Sequence, residues 1–333
     1  MKHLKGAQVV GVGKCLPQKI LTNHDLETMV ETSDDWISER TGIRQRHVIS
    51  GSETVSTMAV AAARQAMEMA AIGPMDLDLI IMGSFTADHK LPAGACMVQA
   101  ELGAKRAGAF DINSACTGFI YSLLTAAQFV KSGTCKYVLV LGSDATSTVL
   151  DWTDRNTCVL FGDGASALVL KQTEDTGVGI LSQFMCTDGT GMCNLWIPNG
   201  GSRWPLTEKN IGDNRHFVSM SGKEVYRFAI NALVESSHNV LAQEGLTCKD
   251  IALMVPHQAN ARIIQSAANR LELLDEQVYI NIDRYGNTVG ASVGLALCDA
   301  WHEGRIKEND KLLVVGFGAG LSWGATLIHW SLK

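Results

Sequence analysis

No uninterrupted apolar run in this chain approaches the roughly 18 residues of a membrane span, which argues against an integral membrane protein. An excess of basic charge is missing too. Lys and Arg number 28 against 34 Asp and Glu, a formal net charge of −6, so bulk electrostatics argue against a nucleic-acid or membrane-surface binder. No C-x-x-C occurs. The nine cysteines stand singly, and their odd count and wide spacing speak against a disulfide framework or a zinc knuckle. A reduced, cytoplasmic protein is expected. There is no G-x-x-x-x-G-K phosphate loop and no histidine pair at metal-ligand spacing, so no metal is expected. Gly11-Val12-Gly13 lacks the third glycine and the acidic partner of a dinucleotide fingerprint. Residues 1–8 lead straight into a strand-like Val9-Val10-Gly11-Val12, unlike a secretory signal. Proline is scarce, 6 residues against 32 glycines, which points to tight turns between packed elements rather than disorder. With 46% hydrophobic and 19% charged residues, the 333-residue chain can bury a large core.

What stands out is Cys116. Phe110-Asp111-Ile112 reads as a strand, Asn113-Ser114-Ala115 as a turn of small residues, and Gly118 onward as a helix buried on most sides. The cysteine falls about where that helix begins, where unpaired N–H groups and the helix dipole favour a thiolate. Small neighbours leave room for a carbonyl beside it, the setting of a nucleophile for acyl transfer. The same position also suits a buried structural cysteine.

The chain echoes itself. The strand-like stretch around Ile81 resembles the one around Met254, an offset of 173 residues, and Val140 falls opposite Val314 at 174. Asp163-Gly164-Ala165-Ser166 is echoed by Trp323-Gly324-Ala325-Thr326 at 160. Three matches in one order predict two copies of one βα unit, with a boundary in the charged stretch 171–177 and halves at 1–172 and 173–333. Continuous apolar strands alternating with helices predict an α/β fold of largely parallel sheets covered on both faces. Residues 187–218, rich in Gly, Asn and charge, read as a long excursion over a site.

In such folds chemistry gathers where strands end and helices begin. His257 follows the strand-like Val255-Pro256, and Asn287 precedes an apolar helix. Each has a plain reading, a capping group or a partner for a buried carbonyl. The duplication brings both to turns related to that of Cys116, and these turns can converge between the halves.

Taken together, six segments resemble the β-ketoacyl-acyl-carrier-protein synthase III family of the thiolase-like superfamily, over essentially the whole length. They are Thr32-Ser33-Asp34-Asp35-Trp36-Ile37 with Arg40-Thr41-Gly42-Ile43-Arg44, Ala115-Cys116-Thr117-Gly118-Phe119, Phe161-Gly162-Asp163-Gly164-Ala165, Val255-Pro256-His257-Gln258-Ala259-Asn260, Tyr285-Gly286-Asn287-Thr288 and Gly316-Phe317-Gly318-Ala319-Gly320. The resemblance implies a five-layered αβαβα sandwich of two duplicated halves and a homodimer. It implies a Cys116, His257 and Asn287 triad, with an oxyanion hole from the N–H groups of Cys116 and Ala319. It implies that Trp36, Arg40, Arg155 and Asn260 bind coenzyme A and that Leu91, Phe161 and Phe317 shape the acyl pocket. Gln258, Ala259, Asn260, Ala261 and Arg262, with Arg227 and Arg270, would meet the carrier protein. Three positions depart from the family pattern. Leu91 stands where acetyl-specific members have phenylalanine, Ala319 replaces a middle glycine, and Leu321 replaces an aromatic.

The implied activity is decarboxylative condensation of an acyl-CoA primer, acetyl-CoA first among them, with malonyl-acyl carrier protein, with no cofactor. Alternatives are a related Cys-His-Asn enzyme of secondary metabolism and a synthase preferring longer primers. A thiolase would need a second cysteine in the 316–323 turn, which has none, and an elongating synthase would have histidine at Asn287.

Overall fold

The computed structural model describes residues 4–332; Met1, Lys2 and His3, on which the signal reading drew, and Lys333 lie outside the described residues. Nine strands build the main sheet: β1 (Gly6–Cys15), β2 (Leu79–Gly83), β3 (Gly108–Ile112), β4 (Tyr137–Asp144), β5 (Gly164–Thr173), β6 (Gly179–Thr187), β7 (Leu253–Pro256), β8 (Lys311–Gly318) and β9 (Ser322–His329). Their spatial order is β7-β8-β9-β6-β1-β5-β4-β2-β3. The six longer helices are α1 (Val55–Met69), α2 (Gly94–Leu102), α3 (Gly118–Lys131), α4 (Gly222–Gln243), α5 (Ala261–Arg270) and α6 (Ser292–His302).

The sheet is two similar sheets joined at a seam. β2 runs parallel to β4, β4 antiparallel to β5, and β5 antiparallel to β1. The same pattern links β7, β8, β9 and β6. Between them only Ala7 and Gly179 pair, on β1 and β6. α1 and α2 cover one outer face, and α4 and α5 the other. α3 and α6 lie between, touching strands of both sets. The result is a five-layered αβαβα sandwich. Burial on both sides explains why α3 is apolar nearly all round, with Phe119, Ile120, Leu123, Leu124 and Val130 all inaccessible.

Register refines the internal echo. Ile81 pairs with Val140, and the equivalent pair in the second set is Val255 with Val314, so Ile81 corresponds to Val255 rather than Met254. A one-residue slip in a strand turns every side chain to the other face. Ile81 and Val255 do share the central core, while Met254 faces the outer helices.

Two backbone crossings bring strand ends onto helix starts. A Cβ on Gly83, at the end of β2, would lie 2.4 Å from the carbonyl carbon of Gly118. One on Gly142, in β4, would lie 2.2 Å from the carbonyl oxygen of Gly290. Only glycine permits either approach.

Candidate active site

Cys116 occupies a 3-10 turn, Ala115–Thr117, just ahead of α3. Ala115 has φ of 44°, a left-handed conformation uncommon outside glycine. The turn is pinned from the second half. Thr117 Oγ1 hydrogen-bonds Ser322 Oγ at 2.8 Å, and Ser322 Oγ donates to the Ala319 carbonyl at 2.9 Å. The backbone N–H groups of Cys116 and Ala319 both favour a sulfur anion. Burial, and then the charge of Asp144, act against it and push the thiol up to about 12. This corrects the expectation of a depressed thiol: the turn is interior, and desolvation outweighs the helix start.

Asp144, at the end of β4, is fully buried and unanticipated from sequence. Its carboxylate accepts from the Phe85 N–H at 2.9 Å, the Thr86 hydroxyl at 2.7 Å, the Ser84 hydroxyl at 3.1 Å and the Gly290 N–H at 2.9 Å. It thereby ties β2's exit and the Asn287 turn to the floor under Cys116. Burial raises it to about 6 despite these donors. The signal was a polar Ser143-Asp144 pair closing a buried strand.

His257 follows β7 and is inaccessible to solvent. Its Nδ1 lies 2.5 Å from Ser292 Oγ, and its buried Nε2 has no partner among the described residues. Burial lowers it to about 3, so the ring is neutral. Phe317 stands edge-on to this ring, with centroids 5.4 Å apart. Asn287 is bound through its backbone on both sides of Phe161: its N–H donates to Leu160 O at 2.9 Å, and its carbonyl accepts from Gly162 N–H at 3.0 Å. Its Oδ1 accepts from Val289 N–H at 3.0 Å, leaving Nδ2 without a partner among the described residues. Neither residue caps a long helix; that role falls to Asn260. The Cys116 and Asn287 turns meet, Ala115–Thr117 touching Val289–Ala291, and the same turn touches β8, whose Phe317 packs on the His257 ring.

A cavity of about 620 Å³ opens onto Cys116, Ala319 and Phe161. The excursion 187–218 supplies much of its outer wall through Leu195, Ile197, Leu206 and Val218. One assignment to the acyl pocket changes: Phe317 is buried against the His257 ring and does not line the cavity. Leu91 is 86% exposed and lies off the wall of its own chain's cavity, so its place on an acyl pocket would be one across a dimer interface.

Farther out, two guanidinium groups stand over the Trp36 ring, Arg40 at 4.6 Å and Arg155 at 4.7 Å from its centre. Ser33 caps that short helix, Asp34–Thr41, by accepting from Trp36 N–H. Asn260 caps α5 through Arg262 N–H and donates to the Arg40 carbonyl at 3.0 Å, linking the two regions. Arg262 and Arg270 are exposed on α5, with Arg227 exposed on neighbouring α4. Gln258 must be removed from the carrier-protein set. It is buried, and its amide bonds Pro256 O, Tyr279 O and Asn281 N–H. Ala259 and Ala261 are partly covered.

Among the described residues no cluster of His, Cys, Asp or Glu could hold a metal, and no helix is long and apolar enough to cross a membrane. Cys298 sits inside α6 beside His302, away from the 316–323 turn.

Two family models match the chain, "3-Oxoacyl-[acyl-carrier-protein (ACP)] synthase III" over residues 110–189 and its C-terminal counterpart over 241–330. A curated β-ketoacyl-[acyl-carrier-protein] synthase III of Caldanaerobacter subterraneus is 49% identical over 325 residues, 98% of each chain. The crystal structure of a 3-oxoacyl-[acyl-carrier-protein] synthase III from Aquifex aeolicus superposes with a TM-score of 0.91 at 42% identity, covering 98% of this chain and 100% of that one. The priming β-ketosynthase of the R1128 polyketide pathway gives a TM-score of 0.92 at 34% identity, covering 99% and 98%.

Proposed function

The chain belongs to the 3-oxoacyl-[acyl-carrier-protein] synthase III family, and on that premise we propose how its residues divide the reaction. The enzyme condenses an acyl-CoA primer with malonyl-acyl carrier protein, initiating fatty acid synthesis. Cys116 attacks the thioester carbonyl, the bond to the coenzyme A sulfur breaks, and coenzyme A leaves as the thiol. The N–H groups of Cys116 and Ala319 hold the tetrahedral oxygen. Malonyl-carrier protein then enters and loses carbon dioxide. His257 Nε2 and Asn287 Nδ2 donate to the enolate oxygen, and the enolate carbon attacks the acyl-Cys116 ester, whose carbon–sulfur bond breaks to free the Cys116 thiolate, which regains a proton. Carbon dioxide departs instead of a proton, so no base is required and no cofactor is consumed. One arrangement supports this reading most: two backbone donors at Cys116 sulfur and two free side-chain donors on adjoining turns. Mixing acyl-CoA with malonyl-carrier protein should release coenzyme A, carbon dioxide and 3-oxoacyl-carrier protein in equal amounts. Acyl-Cys116 that accumulates with no carbon–carbon bond formed would overturn it.

Trp36, Arg40 and Arg155 hold the adenine end of coenzyme A by stacking and charge, with Asn260 along the channel. Residues 1–172 and 173–333 are the two duplicated halves, Cys116 in the first and His257 with Asn287 in the second. The free cysteines suit a reducing compartment such as the cytoplasm. A homodimer is supported by β3, a sheet edge with no partner strand among the described residues, and by exposed Leu91.

The cavity supports primers longer than acetyl. Each buried methylene adds about 0.8 kcal/mol where there is room. Butyryl-CoA should therefore acylate Cys116 within about tenfold of acetyl-CoA, a tenfold step being ~1.4 kcal/mol. Val218→Phe, which fills the wall, should slow butyryl more than acetyl. Discrimination against butyryl-CoA by several orders of magnitude in the wild type would refute this. A range that favours long primers over acetyl would instead support the second alternative, a synthase preferring longer acyl-CoA primers.

An acidic carrier protein needs a positive surface on a chain of net charge −6. Arg262 and Arg270, with Arg227, provide it. Arg262→Glu should raise KM for malonyl-carrier protein steeply while sparing acylation by acyl-CoA. Salt should raise the same KM, since such contacts are screened beyond roughly 10 Å at 0.1 M. A KM indifferent to both changes would remove the patch from docking.

A further inference from the structure

We propose that Ser292 is a positioning residue for the condensation, fixing His257 in the tautomer that carries its proton on Nε2. The proposal rests on the donor role assigned to His257 above and supplies what that role requires. A serine hydroxyl brings one proton and two lone pairs. Ser292 Oγ already accepts the Gln258 N–H at 3.3 Å and lies 2.5 Å from His257 Nδ1. Among the described residues it has no other partner, and it is 1% exposed. Its proton therefore has one destination, the Nδ1 lone pair. In the opposite tautomer Nδ1–H and the serine O–H would face each other, and one proton would stay unpaired in a dry site.

The neighbours hold this arrangement rigidly. Ser292 is the first residue of α6, and the Gln258 side chain is locked by Pro256 O, Tyr279 O and Asn281 N–H. The Gln258 N–H cannot turn elsewhere without dragging that segment. With Nδ1 occupied as an acceptor, the ring proton stands on Nε2, the atom that is buried and lacks a partner among the described residues. A donor left unpaired in a buried site is costly, and functional sites are where such groups persist. An enolate oxygen would satisfy it. The other tautomer would present a lone pair to that oxygen and repel it.

The tautomer can be read directly by 15N NMR of histidine-labelled enzyme, with His257 assigned by its loss in His257→Ala. The wild type should show a pyridine-type Nδ1 and a pyrrole-type Nε2; a protonated Nδ1 would overturn the proposal with no variant needed. Ser292→Ala should mix the tautomers and slow malonyl decarboxylation by about 10–100-fold, the range seen when groups behind metal-bound histidines are removed. Acylation of Cys116 by acyl-CoA should persist, which also confirms folding, and Ser292→Thr should restore much of the loss. Ser292→Ala that keeps the wild-type tautomer and decarboxylation rate refutes the role. A mixed tautomer with unchanged decarboxylation would uphold Ser292 as the fixing group and overturn His257 as the enolate donor instead.

Discussion

Cys116→Ala and Cys116→Ser should abolish condensation, while malonyl-carrier protein should still lose carbon dioxide. The first half follows from the covalent step. Without a thiol at this turn the primer has nowhere to be held, and losing an acyl-transfer nucleophile costs on the order of 10⁶ in rate. Other cysteines cannot substitute. Cys158 and Cys298 are closed in the core, and exposed Cys193 does not line the cavity onto which Cys116 opens. Serine keeps the size but not the nucleophilicity of sulfur. The second half follows because His257 and Asn287 stay in place. Their enolate would then take a proton from water and leave as acetyl-carrier protein. Intact mass after acetyl-CoA should show one added acetyl group in the wild type and none in either variant. A label that maps to another cysteine would contradict the assignment. Burial holds the thiol far above neutrality, so its neutral form dominates at working pH. Alkylation of the free enzyme should therefore climb steadily from about pH 6 to about pH 9 without levelling.

The parts of this site visible in the sequence were those carried by local pattern. A buried strand, a turn of small residues and an all-round apolar helix announced the Cys116 segment, and repetition of that unit announced the second half. Register was not visible. Ile81 and Met254 are both apolar in runs without alternation, so nothing in the pattern separates the inner face from the outer. Asp144 and Ser292 escaped notice because their partners lie 60 and 35 residues away, at Ser84 and His257. Gln258 and Phe317 were overread for the opposite reason. Each adjoins a site residue in a motif, yet Gln258 turns inward to Tyr279 O, and Phe317 lies behind the His257 ring. Leu91 sits on a loop whose surroundings a single chain does not determine, and its exposure shows as much.

His257→Ala and Asn287→Ala should leave the first half-reaction standing and cripple the second. In the proposed mechanism, acylation of Cys116 uses the backbone donors of Cys116 and Ala319, which neither substitution removes. On the proposed division of roles, decarboxylation relies on Nε2 and Nδ2, which have no hydrogen-bond partner among the described residues. Removing one oxyanion-type donor typically costs on the order of 10²–10³ in rate. Each variant should thus accept an acetyl group in a single turnover and then release carbon dioxide that much more slowly. Asn287→Asp is the sharper companion, since it replaces a donor with an acceptor of nearly the same shape and should lose at least as much as alanine. The pH dependence separates a donor from a base. Burial lowers His257 to about 3, so above that value the ring is neutral and keeps its Nε2 proton. Decarboxylation should therefore be flat from about pH 5 to about pH 8, where an ordinary histidine near 6.5 would titrate. A rate that rises through about pH 6.5 would make His257 a titrating base instead of a donor, and variants that decarboxylate at wild-type speed would show that His257 and Asn287 only shape the turn.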